Sequence, residues 1–184
     1  MARIDYPDLT DPSLAPLVAQ ITAERGGKML NLYRMLLHSP SFAQGWLALF
    51  TAVRQQGNLD ARYRELAILR IAVINRADYE FAQHVPYAQR AGVSAAQIEA
   101  VKTDPGSNPG FDPGSNPGLS VFDAKDRAVL AYAETMTRDI DVPAALFDRV
   151  RGLFDEREVV ELTVTIAGYN LVSRFLVALQ IDHD

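Results

Sequence analysis

Arg64-Glu65-Leu66-Ala67-Ile68-Leu69-Arg70, followed by Asp78-Tyr79-Glu80-Phe81-Ala82-Gln83-His84-Val85-Pro86, is the stretch on which the reading of this chain turns. Leu66, Leu69 and Val73 fall at i, i+3 and i+7, and good helix formers run unbroken from Ala61 to about Asn75. That pattern predicts a helix, even though the β-branched run Ile71 to Ile74 is compatible with a strand. After a break at Arg76 to Asp78, a second helix is expected over Tyr79 to Arg90, closed by Ala91-Gly92 as a glycine C-cap.

Outward from this pair the other helices follow from their start and stop signals. Upstream, Asp11-Pro12 opens a helix that Gly26-Gly27 stops, and Leu30 to Leu37 forms a short apolar segment. Ser39 and Pro40 then start a helix whose Phe42, Trp46, Leu49, Phe50 and Val53 are expected to form a core face. Downstream, Ser94 and Gln97 have capping-box spacing for a short helix to about Thr103. Ser120 with Asp123 begins a helix through Arg138, Asp141-Val142-Pro143 another through Phe154, and Asp155 to Glu158 has capping-box spacing for a last apolar helix to about Gln180. The chain therefore reads as one all-α domain, residues 1–184, of about eight or nine helices, mostly antiparallel because their connections are short.

One connection is long. Residues 104–119 repeat an eight-residue unit, Asp104-Pro105-Gly106-Ser107-Asn108-Pro109-Gly110-Phe111 and then Asp112-Pro113-Gly114-Ser115-Asn116-Pro117-Gly118-Leu119, rich in Pro-Gly turns. It is expected to be a surface loop, with Phe111 available to a lid or an oligomer contact.

Composition narrows the chemistry. Hydrophobic residues at 48% and charged residues at 22% suit a globular core. A net charge of -5 offers no basic field for nucleic acid or anionic lipid, so neither partner is expected. The chain contains no cysteine, which excludes disulfides, thiolate nucleophiles and Cys-ligated metals. The start of the chain carries no apolar run like a signal peptide, so a cytoplasmic location is the expectation. Val159 to Leu179 approaches a membrane span in length but contains Glu161, Asn170 and Arg174, and reads as a buried core helix.

The polar residues of the central stretch suggest a site. Glu80 and His84 are i and i+4 on one helix, where a carboxylate can orient an imidazole for general acid or base work. The same spacing also describes an ordinary surface pair. Glu65 shares its helical row with Leu69 and Ala72, so its carboxylate points inward and needs a partner, which a histidine on the next helix would supply. Pro86 removes a backbone hydrogen bond two residues after His84 and leaves the Ala82 carbonyl without its usual partner. Glu65, Glu80 and His84 are also ligand types that a divalent metal accepts, but with a single histidine the cluster reads as an acid-base site rather than a metal site.

Taken together, Arg64 to Arg70, the Glu80-Phe81-Ala82-Gln83-His84-Val85-Pro86 segment and Ala91-Gly92-Val93-Ser94 resemble the carboxymuconolactone decarboxylase family, within the alkylhydroperoxidase D-like superfamily. The resemblance is densest over about residues 60–103, and Tyr169-Asn170-Leu171-Val172-Ser173-Arg174 is similar to a cysteine-free branch. In the thiol-bearing branch a glutamate precedes Cys-x-x-Cys-x-x-x-His. Those positions fall here on Glu65, Ala77, Glu80 and His84, so thiol peroxidase chemistry lacks its thiols. The resemblance implies instead a cofactor-independent acid-base enzyme acting on a small carboxylated lactone or organic acid. His84 would be the general acid or base, Glu80 and Glu65 would orient it, and Arg64, Arg70 or Arg174 would hold the substrate carboxylate. It also implies a homo-oligomer, a trimer or hexamer. The competing reading is a non-catalytic binding or structural member, and a peroxidase-related activity is a weaker third.

Overall fold

The computed structural model describes residues 1–103 and 120–184; the long connection at 104–119 lies outside the described residues. The described residues are helical and contain no strand. They divide into two compact units, Met1–Gln56 with Phe175–Asp184, and Gly57–Arg174.

The first unit holds α1 (Ala15–Glu24), α2 (Asn31–Leu36) and α3 (Pro40–Thr51), the last continued by a π-helical turn at Ala52–Gln56. Ser39 is the N-cap of α3 and Pro40 its first residue, where the missing proline N–H costs nothing. The face that α3 buries is Ala43, Leu47 and Phe50. The expected core face needs correcting here, because Phe42 is 71% exposed and Leu49 is also exposed. Both faces repeat at helical spacing, and the inward one includes Ala43, whose small side chain allows close approach. Trp46 is half-buried, with its ring 5.1 Å from Phe50 and 5.4 Å from Phe175.

The second unit is built on α4 (Ala61–Ile74), which packs against α5 (Asp78–Arg90), α6 (Ala95–Lys102) and α7 (Ala124–Arg138), while α7 also packs on α8 (Ala144–Arg151). Eight consecutive residues of α4, Glu65 to Ala72, are buried, so this helix has no solvent face along its middle. That explains why its apolar residues run on rather than alternate in a stripe.

The helix ends carry the signals that define them. Asp60 caps α4 by accepting the Arg62 amide, and Ser94 and Gln97 form a reciprocal capping box at α6. Asp155 and Glu158 do the same at the start of α9 (Glu156–Leu179). Gly92 ends α5 at φ +85°, with its own amide on the Gln89 carbonyl and the Val93 amide on the Ala88 carbonyl, the pairing that a left-handed residue makes possible.

An ion pair fastens the starts of α4 and α7. The Arg62 guanidinium grips Asp126 through two bonds, Nε to Oδ1 at 3.0 Å and a terminal nitrogen to Oδ2 at 2.6 Å. Its other terminal nitrogen donates to the Gly92 carbonyl at 2.7 Å. Asp126 is buried, and its own amide is capped by Asp123.

Helix α9 is long and apolar enough to cross a membrane by length and composition alone, but half of that window is buried in the protein. The expectation of a buried core helix holds for one side only: Val159, Leu162, Ile166, Tyr169 and Val172 are buried, while Val160, Val164 and Leu171 are exposed. Glu161 accepts the backbone amides of Asn58 and Leu59, each at 2.7 Å, and so ties α9 to the connection that leads into α4. An added Cβ at Gly57 would sit 3.0 Å from the same carboxylate, so glycine clears its approach.

Ile140 adopts φ 68° while standing 84% exposed. A β-branched residue in the left-handed region clashes with its own backbone, and nothing is gained here by burial. Ile140→Gly is expected to raise stability by about 0.5–1 kcal/mol, since removal of the clash outweighs the entropy that glycine adds to the unfolded chain. Thermal unfolding of the two proteins checks this.

Candidate functional site

The site is assembled within the second unit from α4, α5 and α9. The turn from α4 into α5 is tight. Arg76 takes φ 55°, its amide bonds to the Val73 carbonyl, and the Ala77 amide reaches the Ala72 carbonyl at 2.8 Å. This reversal lays the first turns of α5 beside the buried middle of α4 and brings residues of the two helices face to face. Pro86 lies inside α5, which nevertheless continues to Arg90.

Glu65 and His84 meet across that interface. Glu65 Oε2 lies 2.7 Å from His84 Nδ1, and the other carboxylate oxygen accepts the Arg64 Nε at 3.2 Å. Glu65 is 2% exposed and His84 8% exposed. Burial pushes the Glu65 carboxyl upward, but the hydrogen bond and charge of His84, joined by Arg64, outweigh it and hold the group below its ordinary value. Glu65 is thus an ionised acceptor, which fixes the imidazole with Nδ1–H toward it and leaves Nε2 as the nitrogen that can serve a ligand. The rings of Tyr169, edge-on at 5.0 Å, and Tyr87 at 5.8 Å flank the imidazole.

Glu80 sits one helical turn before His84 on α5, but it does not bond to it. Its two oxygens lie 3.1 and 3.0 Å from the Ser173 hydroxyl of α9. The expected orienting role of Glu80 toward His84 is corrected accordingly: Glu65 takes Nδ1, and Glu80 is turned to α9. Burial, with Glu80 2% exposed, drives its carboxyl well above the ordinary value, against a smaller opposing pull from Ser173.

The three arginines separate. Arg64 touches the pair directly through Glu65. Arg174 is exposed and donates to the side-chain and backbone oxygens of Asn170 at 2.8 and 3.2 Å. Arg70 is fully buried and directed elsewhere, pairing with Glu134 at 2.9 Å and capping the Val101 and Thr103 carbonyls at the end of α6. A guanidinium held by three partners in the interior is a brace between α4, α6 and α7, so Arg70 is corrected from substrate ligand to structural residue. Among the described residues no group of three or more His, Asp or Glu side chains is placed to hold a metal ion.

Ser173 is the site residue that the sequence reading passed over. A signal for it existed, because Leu162, Ile166, Tyr169 and Ser173 follow one inward row at i, i+4, i+7 and i+11, and a hydroxyl in such a row needs a polar partner.

Residues 40–105 match the carboxymuconolactone decarboxylase family model. An uncharacterised peroxidase-related protein from Silicibacter sp. TM1040 superposes with TM-score 0.79 at 18% identity, covering 100% of this chain and 92% of the other. The alkylhydroperoxidase AhpD core protein from Ralstonia eutropha JMP134, also uncharacterised and peroxidase-related, gives 0.78 at 16% identity, with coverage of 100% and 92%. The family match spans 66 of the 184 residues, and the helical fold is the one these two structures share. The debrominase Bmp8, solved as a cysteine-to-alanine variant with 2,3,4-tribromopyrrole, shares the fold at TM-score 0.72 and 16% identity, covering 100% of this chain and 94% of its own. At such identities the likeness speaks for the fold alone. No curated protein matches the chain. Ala77 and Glu80, the positions that the sequence resemblance sets against the two thiols of the thiol-bearing branch, are both buried.

Proposed function

We propose that this protein is an acid-base enzyme acting on a small carboxylated organic molecule, a lactone or a related acid, with His84 as the proton-transfer group. The observation that carries the reading is the buried Glu65–His84 bond at 2.7 Å. An ionised carboxylate on Nδ1 holds the ring in one tautomer and orientation, the arrangement in which Nε2 can take a proton from a substrate or return one. Loss of carbon dioxide leaves an enolate-like anion, and an imidazolium Nε2–H at that carbon quenches it. Arg64, whose Nε is anchored on Glu65, supplies a cation for the substrate carboxylate next to the imidazole. Redox chemistry that runs through a thiolate and a resolving thiol has no group to use, since the chain has no cysteine. The match of residues 40–105 to the carboxymuconolactone decarboxylase family model supports the lactone class. As in the family, we propose a homo-oligomer, either a trimer or a hexamer.

Screening carboxylated lactones and acids of aromatic degradation with wild type and His84→Ala tests this. Turnover of at least one compound is expected, reduced by about 10²–10⁴-fold in the variant. Activity untouched by His84→Ala removes the histidine from the mechanism, and clear reduction of hydroperoxide with a dithiol donor overturns the argument from missing thiols.

A further inference from the structure

We propose that Glu80 rests as a neutral carboxylic acid beside the ionised Glu65, donating to Ser173 Oγ while Ser173 donates to the Tyr169 carbonyl, with Ser173 as the residue that orients the acid. The Ser173 hydroxyl has a single hydrogen and lies within bonding distance of three oxygens: Glu80 Oε1 at 3.1 Å, Glu80 Oε2 at 3.0 Å and the Tyr169 carbonyl at 2.9 Å. Ser173 is fully buried and Glu80 nearly so. The Tyr169 carbonyl already accepts the Ser173 amide within α9, so if Glu80 were ionised, a buried charge with two oxygens would depend on this one shared hydrogen. With the proton on Glu80, two hydrogens serve two bonds in one direction along the row, and the one oxygen left without a donor belongs to a neutral carboxyl rather than to a buried charge.

The charges on neighbouring elements do not change that count. On α4, Glu65 and Arg64 bond to one another, and Glu65 also bonds to His84; on α5 itself His84 faces Glu65; on α9 Arg174 is spent on Asn170. None of them bonds to Glu80, whose hydrogen-bond partner is Ser173. Burial of the carboxyl acts in the same direction. The two glutamates are thereby set apart by environment, one charged and one neutral.

This has a consequence for the substrate, and here the inference rests on the proposed function. With Glu80 neutral, Arg64, Glu65 and His84 sum to zero or one positive charge, so an anionic carboxylate meets no uncompensated negative group at the imidazole. With Glu80 ionised, the same place would carry a further negative charge and repel it. Tyr169 ties the two halves together, because its carbonyl ends the proton chain and its ring packs edge-on against His84.

The experiment is infrared difference spectroscopy of the substrate-free protein at neutral pH, wild type minus Glu80→Gln, in H₂O and D₂O. A carbonyl stretch of a protonated carboxylic acid is expected in wild type, moved by deuteration and missing from Glu80→Gln. In Ser173→Ala the band should persist at a shifted frequency, because the acid loses its hydroxyl partner. A carboxylate stretch lost in Glu80→Gln, with no protonated band, overturns the proposal. A second readout is stability against pH. A group protonated in the folded state and raised above its ordinary value of 4.5 loses its stabilising contribution as pH rises from there toward its folded value. The stability of Glu80→Gln relative to wild type should therefore grow from acid toward neutral pH, and parallel profiles overturn the proposal. Neither readout involves turnover, so an inactive enzyme would sink the functional reading while leaving the proton assignment to stand or fall by itself.

Discussion

Replacing Asp126 by alanine is expected to cost about 1–3 kcal/mol, because the buried carboxylate's partners lose their acceptor while the half-buried Arg62 left behind keeps partial contact with water. The Arg62 guanidinium would keep its bond to the Gly92 carbonyl but lose both carboxylate contacts, and Gln97, which reaches the Val121 carbonyl and Asp126 together, would lose one anchor. Three junctions depend on this cluster: the start of α4, the α5–α6 turn and the start of α7. Urea unfolding checks the prediction as a large drop in midpoint at unchanged slope. The exposed Lys102–Glu99 pair is the control, and Lys102→Ala should leave the midpoint where it is.

Under the proposed function, Glu65→Gln is expected to lower turnover of any substrate found by about 10²–10⁴-fold, comparable to loss of the histidine itself, because an amide neither fixes the Nδ1–H tautomer by charge nor balances an imidazolium. Stability should fall as well, by about 1–3 kcal/mol, through weakened bonds to the buried His84 and the half-buried Arg64. The pH dependence distinguishes this from a simple packing defect. The folded Glu65 carboxyl is held below its ordinary value of 4.5, so its contribution is fully present above that pH and is lost as pH falls through the folded value. Wild type and Glu65→Gln should therefore differ most near neutrality and converge in acid. Denaturation at a series of pH values reads this directly, and a constant gap would contradict the assigned charge state.

Much of this architecture was legible in the chain because it is specified locally. The caps at Ser94, Asp123 and Asp155 and the glycine at 92 lie within a few residues of what they terminate. The inward row of Glu65, Leu69 and Ala72 was enough to call for a partner on the following helix, and the structure supplies His84. Other features depended on elements far apart in sequence. Glu80 pairs with a serine 93 residues later, and no periodicity within α5 announces it. The inner face of α3 was misjudged because size was weighed over fit, with Phe42 and Leu49 drawing attention from Ala43 and Leu47. Arg70 looked like a ligand for an anion because arginine is rarely buried, and its partner Glu134 belongs to a helix whose register against α4 only the fold reveals.

The bond from Ser173 back to the Tyr169 carbonyl also bears on how such a site evolves. A buried hydroxyl that depended wholly on Glu80 would be orphaned by any change at that position, and the two residues would have to change together. Ser173 instead keeps an acceptor four residues back on its own helix whatever stands at position 80. Substitutions there can be accepted one at a time, with little epistasis from α9, which makes position 80 an easy place for a lineage to exchange one chemistry for another.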